Sequence, residues 1–150
     1  MPFEAVAVDA GWLRTIDDLG GQAVFDALEV CVELQKRGVT MLLDHGSAIV
    51  AEYERNLKRG SVGRAFYENI MSKGQVSYQT GTPTISCHDS LESDGCDADD
   101  IVCVAVAQRV NRAAVYLTHE QSHLATSRRQ VVESGCAVAI VGTPDVMLAF

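Results

Sequence analysis

A chain of 150 residues with a hydrophobic fraction of 47% and charged residues at 21% has the composition of one folded domain with its own core, which excludes a disordered or fibrous chain. Its formal net charge of −8 argues against a protein that coats nucleic acid, because phosphate binding rests on Lys and Arg, but leaves room for a nuclease whose carboxylates bind metal. The N-terminus lacks the basic stretch of a signal peptide and no apolar run reaches membrane-spanning length. The cysteines at 31, 87, 96, 103 and 136 form no Cys-x-x-Cys pair, so the expectation is a reduced, cytoplasmic protein with no membrane association.

In chain order, Glu4-Ala5-Val6-Ala7-Val8-Asp9 is an apolar run ending in a carboxylate and reads as a buried strand with Asp9 at its C-terminal end. From Gln22 to Lys36, Val24, Phe25, Leu28, Cys31, Val32 and Leu34 recur at helical spacing, and Gly38 beyond them is a stop signal. Thr40-Met41-Leu42-Leu43-Asp44 is a second strand that ends in an acid. Ser47 to Leu57 predicts a helix closed by Gly60, and Val62 to Met71 another. Between Gly74 and Gly95 the pattern weakens. Val76-Ser77-Tyr78 and Thr84-Ile85-Ser86 read as short β pieces around Pro83, followed by a polar loop. Asp99 to Val110 is a helix, Ala114 to Thr118 a strand, Ser122 to Ser134 a helix and Ala137 to Val141 a last strand before an apolar tail that closes the core or forms an interface. Strands alternating with helices predict an α/β domain with a mainly parallel sheet, in which ligands sit beyond the carboxyl ends of the strands.

Leu117-Thr118-His119-Glu120-Gln121-Ser122-His123-Leu124 contains His-Glu-x-x-His, the spacing by which zinc proteases hold their metal on a helix. Here the motif starts directly after a strand, so His119 and Glu120 fall in the strand-to-helix turn, where the two histidines need not share a face. The extended pattern also fails, since Thr126 stands at its glycine and Arg129 at its third histidine, and Glu133 is too close for the alternative glutamate ligand. The competing reading makes His119 and His123 surface or supporting histidines beside a carboxylate site.

Such a site is suggested by Asp9, Glu52, Asp97, Asp99, Asp100 and Glu120, spaced along an alternating chain so that its topology brings them to one sheet edge. Converging carboxylates cannot all stay ionised without a cation, and Mg2+ and Mn2+ prefer oxygen ligands. Four stretches carry these acids: Ala5-Val6-Ala7-Val8-Asp9-Ala10, Ile49-Val50-Ala51-Glu52-Tyr53-Glu54-Arg55-Asn56-Leu57, Asp97-Ala98-Asp99-Asp100-Ile101-Val102-Cys103-Val104-Ala105-Val106-Ala107, and Val115-Tyr116-Leu117-Thr118-His119-Glu120. In this order and at these intervals they resemble the PIN-domain nucleases over nearly the whole chain. The resemblance implies a single three-layer α/β/α domain and Mg2+- or Mn2+-dependent endonuclease activity, usually on RNA. Asp9, Glu52, Asp100 and Glu120 would be the catalytic acids and, with Asp97, the metal ligands. It further implies an antitoxin or other regulatory partner and self-association. Glu120 stands where the family has Asp, and Ser122 stands at the later acidic position.

Each acid has a competing local role. Asp9 could solvate a turn, Glu52 could pair with Arg55 on one helix face, and Asp97 and Asp100 could serve the positive end of a helix. Asp44 either extends the acidic pocket or closes a turn. Arg55, Lys58, Arg59 and Arg64 follow Glu52 and, with Lys73, form either a rim for a nucleic-acid backbone or a solvated helix face. Trp12 and Tyr53 either stack on a base or lie in the core. The readings carried forward are a metal-dependent endoribonuclease, a catalytically degenerate binding or regulatory module, and a zinc metalloprotease.

Overall fold

The structure, a computed structural model, describes residues 3–150. The first strand, β1 (Ala5–Val8), is buried along its whole length, as an apolar run must be when helices cover a parallel sheet. Among the described residues it is joined by β2 (Thr40–Asp44), β3 (Val76–Gln79), β4 (Ala114–Leu117) and β5 (Ala139–Val141) in the order β3-β2-β1-β4-β5, with every neighbouring pair parallel. The expected mainly parallel sheet is therefore wholly parallel, and helices in every connection complete a three-layer α/β/α domain. The direction of strand addition reverses at β1: β2 and β3 extend one way, and the chain then returns to set β4 on the other side, with Val8 opposite Leu117. Ligands of open parallel sheets bind at that reversal, beyond the strand ends.

Asp9 caps α1 (Ala10–Thr15), which continues into a 3-10 turn at Ile16–Asp18 and has no counterpart in the sequence expectation. It packs on α4 (Val62–Ser72) so closely that a Cβ at Gly63 would overlap the carbonyl oxygen of Leu13. The 22–36 helix, α2 (Gln22–Lys36), turns Ala27, Val30, Cys31 and Leu34 inward, a true i, i+3, i+4, i+7 stripe, and leaves Phe25 and Val32 65% and 60% exposed. Behind it Gly38 adopts φ +67, the left-handed value that suits glycine at a helix end. α3 (Ala48–Asn56) follows β2, and α6 (Ala98–Arg109) lies against β1, β2, β4 and α3, with Cys103 to Ala107 buried consecutively. The small residues Ala105 and Ala107 permit that close passage.

Several expectations are corrected. Thr84-Ile85-Ser86 is not a β piece. Thr84 caps α5 (Ile85–Ser93), its hydroxyl accepting from the Cys87 N–H at 3.4 Å, and the expected polar loop is this helix. Local β propensity loses because α5 packs on α8 (Thr126–Cys136), where a Cβ at Gly135 would overlap the Ser90 hydroxyl. The cysteines are not all reduced: Cys87 and Cys136, each buried, form a disulfide across these helices, while Cys31, Cys96 and Cys103 are free thiols. The helix expected over Ser122 to Ser134 is broken at the extended residue Ala125 into a single turn, α7 (Gln121–Leu124), and α8, a break that lets His123 face inward. The tail forms α9 (Thr143–Leu148), which packs on α2 and buries Val146.

Candidate metal centre

Because Val8 and Leu117 are partners in the sheet, the residues that follow them meet. The Asp9 N–H donates to the Leu117 carbonyl at 2.9 Å, and the Thr118 hydroxyl donates to Asp9 Oδ2 at 2.8 Å. The other Asp9 oxygen accepts from the Gly11 N–H at 3.2 Å. Thr118 also orients the next acid, its oxygen accepting from the Glu120 N–H at 3.1 Å. Asp100 enters from the first turn of α6. Its Oδ1 accepts from the buried Tyr116 hydroxyl at 3.2 Å and its Oδ2 from His123 Nε2 at 3.0 Å. Three segments far apart in the chain thereby bring one oxygen each from Asp9, Asp100 and Glu120 within 4.8 Å of one another.

Glu52 completes one cleft with these three, and Asp97 and Asp99 line it as well. Asp97 holds the cap position of α6, yet its side chain makes no capping hydrogen bond. Glu52 is held by Arg55 and by the Asn56 amide, which donates to Oε1 at 3.1 Å. Arg14 lines the same cleft as these six carboxylates, and nothing local in its sequence marks it, because α1 had no periodic signal. The electrostatics follow from the crowding. Burial, then the charges of Asp100 and Glu120, raise the Asp9 pKa to about 6 against the hydrogen bonds from Thr118 and Gly11, and burial with Asp99 raises that of Glu52. Ligand oxygens about 2.1 Å from a Mg2+ or Mn2+ ion stand roughly 3 to 4 Å apart, so the Asp9, Asp100 and Glu120 oxygens fit such an ion after small rotations.

The remaining candidates fall elsewhere. Asp44 is 3% exposed and accepts from Ala48 N–H at 2.9 Å and Ile49 N–H at 2.8 Å, so it closes the turn into α3 rather than extending the cleft. Trp12 and Tyr53 are fully buried, which removes them from base stacking. The Trp12 indole donates to the Thr143 hydroxyl at 3.0 Å and the Tyr53 hydroxyl to the Val8 carbonyl. Lys58 lines a second pocket beside Arg14 and Asn56, and Arg59 is exposed. Arg64 is committed to Glu54 at 2.8 Å and Glu68 at 2.6 Å.

The two histidines of the His-Glu-x-x-His motif diverge. His119 contacts the Thr15 hydroxyl beside the Trp12 ring, whereas His123 is 2% exposed and faces Asp100 and Glu120. Among the described residues no group of metal-ligating side chains contains both. His123 thus takes the supporting place expected of it beside a carboxylate site, and Tyr116 and Thr118 are supports of the acids that sequence reasoning did not assign. Their only signal was proximity in sequence to Glu120.

No family model matches the chain, nor does any curated protein or solved structure. What the fold and site define is an α/β domain with a carboxylate centre at the reversal point of a parallel sheet.

Proposed function

We propose that this chain is a divalent-cation-dependent phosphodiesterase that cleaves RNA internally, with Asp9, Glu52, Asp100 and Glu120 as its catalytic acids. The observation that carries the reading is the convergence of Asp9, Asp100 and Glu120 from three separate segments onto one cleft. Six carboxylates sharing a cleft with a single guanidinium would repel a phosphate diester, so the cleft needs Mg2+ or Mn2+ before it can accept one. The ion supplies activation of water and stabilisation of the charge that develops on phosphorus-bound oxygens. Thr118 and Gly11 aim Asp9, Tyr116 and His123 aim Asp100, and Asn56 and Arg55 aim Glu52, so the acids are oriented by neighbours with fixed hydrogen bonds. Arg14 is suited to the phosphate backbone next to the reacting group, with Lys58 beyond it. No side-chain nucleophile is required. The preference for RNA over DNA rests on the PIN-domain resemblance.

Labelled single-stranded RNA incubated with the protein and Mn2+ should be cut internally, and EDTA or Asp9→Asn should each abolish cutting. Cleavage that survives either control, or none with any divalent ion, overturns the proposal. Mn2+ binding without cleavage would instead favour the degenerate binding module.

A further inference from the structure

His123 does not form a zinc site with His119, but it belongs to another ligand group. Its ring nitrogen, the Cys96 thiol and an Asp100 oxygen all lie within 4.8 Å of one another. Cys96 and Asp100 are one turn apart at the entry to α6, and His123 arrives from α7. The carboxylate centre next door offers oxygen only, which selects Mg2+ or Mn2+. A sulfur, nitrogen and oxygen set is instead the mixture that tetrahedral Zn2+ favours, with the fourth position open to water or a further ligand. We infer that Cys96, Asp100 and His123 form a second metal site, for Zn2+ or a dication of similar preference, which shares Asp100 with the carboxylate centre.

Three observations support it. His123 is buried and already 3.0 Å from Asp100 Oδ2, so two donors need little rearrangement. Glu120 Oε2 is 3.2 Å from the same nitrogen and adds negative charge beside the site, although it stands outside the group of three ligands. Arg128, whose charge would oppose a dication here, is committed to the carboxylate and carbonyl of Asp94. Binding displaces the Cys96 thiol proton and the His123 Nε2 proton that faces Asp100, both of which pass to solvent, because the ligands are the thiolate and an unprotonated ring nitrogen. Since Asp100 also faces Asp9 and Glu120, zinc at this site withdraws the Asp100 oxygen from the carboxylate centre and antagonises Mn2+ there. That antagonism, unlike the zinc site itself, rests on the proposed metal-dependent function.

Cobalt makes the site visible. One equivalent of Co2+ added to the wild-type protein with its Cys87–Cys136 disulfide intact should give tetrahedral d–d bands and a thiolate-to-cobalt charge-transfer band. Cys96→Ser should remove the charge-transfer band, His123→Asn should weaken Co2+ binding by more than about tenfold, and His88→Asn, which alters the exposed His88, Asp89 and Glu92 group, should change neither. Absence of the charge-transfer band in the wild type overturns the site without any variant. So does its persistence in Cys96→Ser, or its loss in His88→Asn. Mn2+ binding, followed by electron paramagnetic resonance, should fall when one equivalent of Zn2+ is added to the wild type but not to Cys96→Ser. Unchanged Mn2+ binding with zinc bound overturns the sharing of Asp100. Failure to bind Mn2+ even without zinc defeats the carboxylate-centre reading, and the sharing with it, while the cobalt spectrum still decides the zinc site.

Discussion

The Nε2–H of His123 donates to Oδ2 of Asp100 across 3.0 Å, joining two buried side chains that lie 23 residues apart. Burial alone would disfavour the imidazolium. The hydrogen bond to Asp100, its charge and that of Glu120 outweigh this and hold the His123 pKa above its ordinary 6.5. A folded-state pKa above the unfolded one stabilises the fold fully below pH 6.5, and that contribution is lost as the pH rises through the folded-state value. His123→Asn, which can still donate to Asp100, lacks this titration. The urea midpoint of the wild type should therefore fall relative to the variant as pH climbs above 6.5, and a constant difference would remove the imidazolium from the account.

Asp9 behaves in the opposite sense. Its pKa, raised from 3.8 to about 6, means that ionising the buried carboxyl opposes folding progressively over that interval and fully above it. The penalty is on the order of 3 kcal/mol at neutral pH without a cation. Asp9→Asn should thus raise Tm in metal-free buffer at neutral pH by several degrees, with each kcal/mol worth roughly 2 to 4 °C. The gain should vanish at acid pH and shrink when Mn2+ stabilises the wild type. Calorimetry of both proteins with and without Mn2+ checks all three, and a variant less stable than wild type in EDTA contradicts the electrostatic account.

Tyr116 reaches the cleft through Asp100, to which its hydroxyl donates at 3.2 Å. Tyr116→Phe keeps every carboxylate and should weaken Mn2+ affinity by roughly 10- to 100-fold, as loss of a supporting hydrogen bond does. The cost in stability should be only about 1 kcal/mol. Titration calorimetry with Mn2+ separates this positioning role from simple destabilisation.

Gly63 is where α4 passes over α1, the helix that Asp9 caps. Since a Cβ there would run into the Leu13 backbone, Gly63→Ala should destabilise by about 1 to 3 kcal/mol despite alanine's better helix propensity. Chemical denaturation measures this, and a neutral or stabilising result would mean that the two helices separate freely.

The Cys87–Cys136 bridge closes a loop with a sequence separation of 49. On the chain-entropy model such a loop contributes about 4 kcal/mol. Thiol reductant should lower Tm for the wild type and leave a Cys87→Ala/Cys136→Ala double variant unchanged. Equal sensitivity of both proteins would place the effect at another thiol.

Local pattern was enough for much of the fold. Apolar runs named β1, β2 and β4, helical spacing located α2, and α6 declared itself by a run too apolar for a surface helix. The acids that end or begin these elements were legible for the same reason, because a carboxylate at the edge of an apolar run stands out against its neighbours. Where convergence mattered, local pattern was silent. Asp9 and Asp44 end strands of the same kind, yet Asp9 faces Asp100 and Glu120 whereas Asp44 spends both oxygens on the start of α3. The difference is that β1 lies at the reversal point, beside β4, and β2 lies one strand away. Likewise Thr84-Ile85-Ser86 has β propensity but starts α5, whose inner face packs on α8, and Cys87 and Cys136 pair only because those helices pack. Periodicity reports which side chains are buried within a few residues of one another. Which buried or strand-end groups meet is set by strand order and helix packing, and those long-range choices turned His123 from half of a zinc-protease motif into the support of Asp100.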